Sequence, residues 1–230
     1  MSENPELEKI ISYKFKNEAF LKEALTHRSY VNENPSWKYG NNERLEFLGD
    51  AALELAVTEC LFEEKKDAQE GELTVFRAAL VNTQMLSRIA DEINLHKFIF
   101  LSKGEIIDNS KAREGILADM MEALIGALYK DGGYEKAKQF IVKFIMPHLS
   151  EVIEKKLYKD PKSLLQEIVQ EKLRLTPTYK ILEESGPDHE KTFRVGVYFN
   201  GTLQAEGVGS SKQEAELKAA EAVLNVFKTS

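Results

Sequence analysis

A single cysteine, Cys60, leaves no partner for an internal disulfide and no thiolate set for a zinc or iron–sulfur cluster. It stands among Leu55, Val57 and Leu61, the setting of a buried structural thiol, so a reducing, cytoplasmic compartment is expected. The four histidines, His27, His96, His148 and His189, fall in no ligand spacing, and no HExxH is present. P-loop, GxGxxG and Ser-His-Asp patterns are missing too, so nucleotide hydrolysis, hydride transfer and acyl transfer find no support. The longest apolar stretch carries Asp119 and Glu122 at its middle, which argues against a membrane span. The start, Met1 to Glu8, is acidic and lacks the apolar core of a secretion signal, so none is expected. Positive charge is scarce: 31 Lys+Arg face 38 Asp+Glu, a net of −7, which taken alone argues mildly against nucleic acid.

The abundant feature is acid in apolar helical sequence. In Asn42-Glu43-Arg44-Leu45-Glu46-Phe47-Leu48-Gly49-Asp50-Ala51, the acids Glu43, Glu46 and Asp50 stand at i, i+3 and i+7 and share one helix face. Leu45, Leu48, Ala52, Leu53 and Leu55 surround them. In Gly115 to Leu128, Asp119 and Glu122 stand at i and i+3 among Ile116, Leu117, Met120, Met121 and Leu124. A carboxylate in such a setting loses hydration, which is costly unless a cation or donor replaces the water. Two helices of this kind suggest one shared site for hard divalent cations. The duller alternatives are a solvated acidic face, or pairing of the acids with Arg44, Arg77 or Arg113.

Residues 5 to about 157 read as nearly all helix, with segments over 5–12, 17–26, 42–64, 83–93, 112–131 and 133–146. Asn4-Pro5 has the form of an N-cap followed by proline. Glu70 to Thr74 is read as a turn leading into a further helix. Asn32 to Asn41, with Trp37 and Tyr39, is read as a surface loop. Thr26-His27 is read as a cap and a core histidine rather than as catalytic. The character changes near Tyr158-Lys159-Asp160-Pro161, where Asp160 and Pro161 fit the N-cap and first position of a helix over 161–174. Strand-like runs follow at Thr178–Glu183, Thr192–Phe199 and Leu203–Gly209, with Asn200-Gly201 as a hairpin turn. A helix capped by Ser210-Ser211 closes the chain. The expectation is an all-α domain over 1–157 followed by an α+β unit, α-β-β-β-α, over 160–230.

Asn42 to Asp50 resembles the signature segment of the ribonuclease III family. Thr26-His27-Arg28-Ser29-Tyr30, Glu70-Gly71-Glu72-Leu73 and Gly115 to Leu128 resemble that family's other blocks, in the same order. The 160–230 unit resembles a double-stranded RNA-binding domain. The resemblance covers essentially the whole chain. It implies a metal-dependent endoribonuclease for double-stranded RNA, homodimeric, leaving 5′-phosphate and 3′-hydroxyl ends with two-nucleotide 3′ overhangs, and acting in precursor ribosomal and other RNA processing. It implies Glu46, Asp50, Asp119 and Glu122 around magnesium, with manganese as a substitute, and Asp50 and Glu122 as the catalytic pair. Glu43 and Glu70 match accessory acids near the cleavage centre or the dimer face. Phe47 matches a residue that plugs into the partner subunit.

Divalent ions suit this chemistry because they neutralise phosphate oxygens and make hydroxide available near neutral pH. Four acids on two helices suffice for ions that keep most of their waters. In the second unit, Gln166 and Glu167 match positions that reach 2′-hydroxyls, and Gly186-Pro187-Asp188-His189 matches a loop entering the next minor groove. Ser211, Lys212 and Lys218 match phosphate contacts near a helix N-terminus. A non-cleaving double-stranded RNA-binding protein is the rival reading, and a ribosome-associated structural protein a third. The intact acid set, Glu43, Glu46, Asp50, Glu70, Asp119 and Glu122, speaks against both.

One departure from the family stands out. Two adjacent lysines are common where Lys212 is here followed by Gln213 and Glu214. Residues 160–230 carry nine Lys/Arg and eleven Asp/Glu, a net of −2. Duplex binding by this unit is therefore expected to be weak and only shallowly salt-dependent. A log–log salt slope as steep as about six phosphate contacts would contradict this.

Overall fold

The computed structural model describes residues 4–104, 110–187 and 191–229. The chain divides into two compact units, one reaching to Tyr158 and one beginning at Lys159. The first is helical: α1 (Pro5–Ile11), α2 (Glu18–Ala24), α3 (Arg28–Glu33), α4 (Glu43–Glu64), α5 (Glu70–Val81), α6 (Thr83–Glu92), α7 (Ser110–Gly132), α8 (Tyr134–Phe144) and α9 (Leu149–Glu154). Single 3₁₀ turns lie at Leu95–Phe98 and Met146–His148.

Local chemistry sets many of the starts. The side chains of Asn17 and His27 accept from the backbone N–H of Ala19 and Ser29, and Asn82 Oδ1 accepts from Met85 N. Asn4 precedes α1 without a side-chain cap bond, so Pro5 alone carries the start. Glu70 to Thr74 is not a turn but the first turn of α5. The backbone N–H of Gln69 donates to Glu72 Oε2 at 3.0 Å, the reciprocal half of a capping box, and draws these residues into the helix.

The segment read as a surface loop, Asn32 to Asn41, takes in the last two residues of a short helix, α3, and sends Trp37 and Tyr39 into an aromatic cluster. Trp37 packs on Tyr30, Tyr39 and Phe100 with ring centroids 5.1–5.2 Å away. Phe100 N donates to Leu25 O, His27 N donates to Phe100 O, and Asn42 N donates to Thr26 O. These bonds fix where α4 begins. Cys60 is buried, and burial raises its thiol pKa, as an inert structural thiol requires.

The centre of this unit is α4 against α7, its most extensive helix pair. Leu45, Leu53, Val57 and Leu61 of α4 are buried, as are Leu117, Met120, Met121, Leu124, Ile125 and Leu128 of α7. The helices meet backbone to backbone at two glycines. A Cβ on Gly49 would lie 1.8 Å from Glu122 O, and one on Gly126 would lie 2.1 Å from Leu45 O. No other residue type fits that approach. The acid-bearing face of α4 is correspondingly less enclosed than its sequence suggests. Leu55 is 52% exposed, and Glu43 and Asp50 are exposed, because they stand about 100° or more around the helix from Gly49, which faces α7.

The second unit places α10 (Pro161–Leu173) and α11 (Lys212–Thr229) with an antiparallel sheet β1-β2-β3 made of Thr178–Ser185, Thr192–Phe199 and Thr202–Gly209. Asp160 accepts from the N–H groups of Lys162 and Ser163 and caps α10. Asn200 and Gly201 take positive φ of 45° and 81°, and Phe199 pairs with Thr202 across the turn. Phe193, Val195, Val197 and Phe199 are buried along β2, with Arg194 and Tyr198 partly exposed between them and Gly196 buried. Leu164, Leu165 and Val169 of α10 and Ala219, Ala220 and Val223 of α11 complete the core.

Gly126→Ala weighs two terms against each other. Helix propensity favours alanine by about 1 kcal/mol. The clash with the Leu45 carbonyl forces backbone movement in a close-packed core, which costs about 1–3 kcal/mol or more. The variant is expected to melt several degrees below the wild type, with the helical circular dichroism of the native state retained. A melting temperature equal to or above the wild type's would contradict the close crossing.

Candidate metal centre and RNA interface

The glycine crossing decides which acids meet. Glu46 precedes Gly49 by three residues, and Glu122 precedes Gly126 by four, so the two side chains converge beside the contact. Asp119 is a further turn back on α7 and shares the face of Glu122. One carboxylate oxygen from each of Glu46, Asp119 and Glu122 lies within 4.8 Å of the others, and all three side chains are half-buried.

Three carboxylates this close raise one another's proton affinity. Burial is the largest cause for Glu46, with the charges of Asp119, Glu43 and Asp50 adding to it. Asp119 is also raised by burial, against an opposing pull from His27. Glu122 is pushed up to about 8 by burial and then by Asp50, Asp119 and Glu46. Two of the three arginines that the sequence offered as partners are committed elsewhere, and Arg44 is exposed. Arg113 pairs with Asp91, and Arg77 with Glu54. Among the described residues no lysine or arginine forms an ion pair with the triplet. An all-oxygen, negatively charged, half-desolvated cluster fits a hard divalent cation and fits a soft one poorly.

The other expected residues of this unit fall into place unevenly. Asp50 is exposed and stands outside the 4.8 Å set. It acts electrostatically on both Glu46 and Glu122, so it sits at the rim of the cluster rather than inside it. Glu43 is exposed, accepts from Asn41 Nδ2 at 3.1 Å, and lies 3.9 Å from Arg28. Glu70 is exposed at the start of α5 and accepts from Thr74 Oγ1; it is not in the cluster. Phe47 is 82% exposed. His27 combines its capping role with a charge effect on Asp119, a link that spacing did not reveal. Gly49 and Gly126 were the unread determinants. An isolated glycine inside each acid-bearing helix was the available signal.

In the second unit, Gln166 and Glu167 are exposed on α10, and Glu167 forms an ion pair with Lys159. Gly186 takes a positive φ of 90°, and Pro187 is exposed beside it. Asp188 and His189 lie outside the described residues. Ser211 Oγ accepts from Glu214 N at 3.1 Å and caps α11. Lys212 Nζ sits 5.6 Å from the centre of the Phe193 ring, and Lys218 pairs with Glu214 at 3.1 Å.

Comparison with known proteins agrees on both units. The family description "Ribonuclease-III-like" matches residues 17–149, and "Double-stranded RNA binding motif" matches residues 161–226. The chain is 42% identical to the "Ribonuclease 3" of Syntrophobacter fumaroxidans over 225 residues, 96% of this chain and 93% of that one. It is 44% identical to the "Ribonuclease 3" of Pelotomaculum thermopropionicum over 210 residues, 91% and 87% of the two chains. Among solved structures, a ribonuclease III nuclease domain from Campylobacter jejuni, described for flexibility in its dimer-forming region, matches with 41% identity and a TM-score of 0.55. That match covers 63% of this chain and 96% of the other.

The raised Glu122 makes a signed prediction about pH. The fold favours the protonated acid, so its stability is full at low pH. That stability is lost as pH rises from the ordinary value of 4.5 through about 8. Glu122→Gln abolishes this titration. In chelator, the variant's melting temperature should gain on the wild type's between about pH 5 and about pH 9. Magnesium at the upper end should raise the wild-type melting temperature and leave the variant nearly unmoved. Equal magnesium shifts in both proteins would take Glu122 out of metal binding.

Proposed function

The chain belongs to the ribonuclease III family and is an endoribonuclease for double-stranded RNA, and we propose that it works as a homodimer whose two acidic clusters each cut one strand. The products would be 5′-phosphate and 3′-hydroxyl ends with two-nucleotide 3′ overhangs. The observation that carries this reading is the triplet of half-buried acids, Glu46, Asp119 and Glu122, with no lysine or arginine paired to it among the described residues. The proposed domains are a nuclease over 1–157 and a duplex-binding unit over 160–230.

Glu46, Asp119 and Glu122 hold the metal in this reading. When bound there, magnesium, or manganese in its place, supplies charge neutralisation of the phosphate and hydroxide from water near neutral pH. Glu122 gives up the proton that burial and its neighbours hold on it, and thereby becomes a ligand. Asp50, at the rim and free of burial, would accept a proton from the attacking water and return one to the leaving 3′ oxygen, completing the catalytic pair with Glu122. Glu43 and Glu70 shape the acidic surround rather than ligate. Gln166 and Glu167 face 2′-hydroxyls, the Gly186 to His189 loop enters a second minor groove, and Ser211, Lys212 and Lys218 meet phosphate.

The dimer rests on α4. Phe47, Ala51, Leu55 and Phe62 stand at i, i+4, i+8 and i+15, one helix face. Phe47, Leu55 and Phe62 are 82%, 52% and 73% exposed. So large an apolar stripe on a water-exposed helix marks a protein contact. In a two-fold dimer each Phe47 is buried by the partner. No helix among the described residues is long and apolar enough to cross a membrane. We place the activity in the cytoplasm and among the steps that process ribosomal and other precursor RNA.

A labelled RNA duplex incubated with and without magnesium tests the chemistry. Wild type should cut both strands only with metal, and Glu122→Ala should bind without cutting. A wild type that binds and never cuts under magnesium or manganese would favour a non-cleaving binder. Phe47→Ala tests the dimer by sedimentation. Two symmetric losses of about 1.5 kcal/mol each weaken association by about a hundredfold. An unchanged dimer constant would remove Phe47 from the interface.

A further inference from the structure

The start of α11 holds an anion of its own. Glu214 Oε2 accepts from the backbone N–H of Ser210 at 2.8 Å and from Ser210 Oγ at 2.6 Å. Its other oxygen, Oε1, pairs with Lys218 Nζ at 3.1 Å. A main-chain N–H, a hydroxyl and an ammonium thus converge on one carboxylate at a helix N-terminus. These are the donors that a phosphate diester would take. Gly209 beside it keeps the approach close, since a Cβ there would lie 2.8 Å from Glu214 Cβ.

Four other cations of the unit are likewise paired with its own acids. Lys159 pairs with Glu167, Lys162 with Glu216, and Lys191 with Glu184, while Arg194 bridges Glu183 and Glu206. Glu167 is itself a residue expected at the RNA, and its partner Lys159 is not; at Glu214 it is the cation, Lys218, that is expected to meet phosphate.

We propose that Glu214 is an affinity-limiting residue of the duplex interface. It occupies the donors of Ser210 and Lys218 in the free protein, and RNA phosphate must displace it. This rests on the reading that residues 160–230 hold double-stranded RNA. The exchange breaks one Lys–carboxylate pair for each Lys–phosphate pair formed. It therefore releases little net charge and flattens the salt dependence. Once displaced, the carboxylate stays near the phosphate and repels it. Glu214 thereby favours release of RNA after cutting over prolonged residence.

The test uses the full chain in chelator, so that nothing is cut, and a blunt RNA duplex of about 30 base pairs, long enough for the ~16 base pairs one such domain spans. Glu214→Gln removes the charge and keeps the side-chain length. It should bind about three- to tenfold more tightly, with the salt slope steeper by about one. Lys218→Ala should cost little in the wild type and several-fold in the Glu214→Gln background. Glu216→Gln, the same charge change on the same helix at a residue paired with Lys162, should have a smaller effect. Equal gains from Glu216→Gln and Glu214→Gln would replace the local competition with a net-charge effect. An unchanged or weakened affinity in Glu214→Gln, at an unchanged melting temperature, would overturn the proposal. If Glu214→Gln melts early, Glu214→Asp decides: its shorter arm should loosen the Lys218 pair and tighten RNA binding, and no tightening refutes the idea. A wild type that binds no duplex at any salt would instead remove the premise that this unit holds RNA.

Discussion

Two glycines let the backbones of α4 and α7 touch, and the acidic cluster depends on that contact. With any side chain at Gly49 or Gly126, the helices would stand off and the carboxylates one turn upstream would part. Each glycine costs its helix about 1 kcal/mol of propensity. The buried leucines and methionines of both helices offset that many times over. The cluster itself adds no stability. Its three acids are held in a half-desolvated place by a core built elsewhere, which is the usual condition of a site made for a ligand. Rigid helices rather than loops carry it, so its geometry moves only if the core does.

Charge is distributed unevenly for a reason. Several acids of the first unit outside the cluster are paired: Asp91 with Arg113, Glu54 with Arg77, Glu59 with Lys138, and Glu151 with Arg88 and Lys155. Glu151 is accordingly held down to about 2. The triplet is moved the opposite way, first by burial and, for Glu46 and Glu122, then by neighbouring carboxylates. The contrast sets the triplet apart from the acids that are held in ion pairs. It also reconciles a net charge of −7 with an RNA substrate. A polyanion meets this protein favourably where divalent ions have neutralised the cluster, or where phosphate can take over a cation from its internal acid.

Much of this was legible from residue order. The acid spacing on 42–51 and 115–128, the Asn200-Gly201 hairpin and the Asp160-Pro161 helix start each follow from a rule of one helix face or one turn, and each appears in the fold. The failures were failures of neighbourhood. A helical wheel puts Glu43, Glu46 and Asp50 on one side, but only α7 decides that Glu46 is half-buried and the other two are exposed. Leu55, apolar and on a central helix, faces outward. Gln69 drew Glu70 to Thr74 into a helix through a reciprocal bond that a run of Glu and Gly hides. The loop before α4 is ordered by Trp37 against Tyr30, Tyr39 and Phe100, and Phe100 comes from more than sixty positions away in the chain.

One helix carries three tasks at different angles, and this ties assembly to chemistry. On α4, Leu45, Leu53 and Val57 face the core, Glu46 faces α7, and Phe47, Leu55 and Phe62 face outward. Glu46 and Phe47 are adjacent, so their side chains leave the same turn about 100° apart. In the dimer proposed above, a subunit seated on Phe47 would restrain the turn that presents Glu46 to Asp119 and Glu122. Its seating also covers apolar surface that would otherwise favour local fraying at the start of α4. Dimerisation in this arrangement does more than pair two centres for two strands. It steadies, from the outer side, the helix whose inner side is held at Gly49, and the acid between those two supports keeps its position while carrying a charge that the fold alone resists.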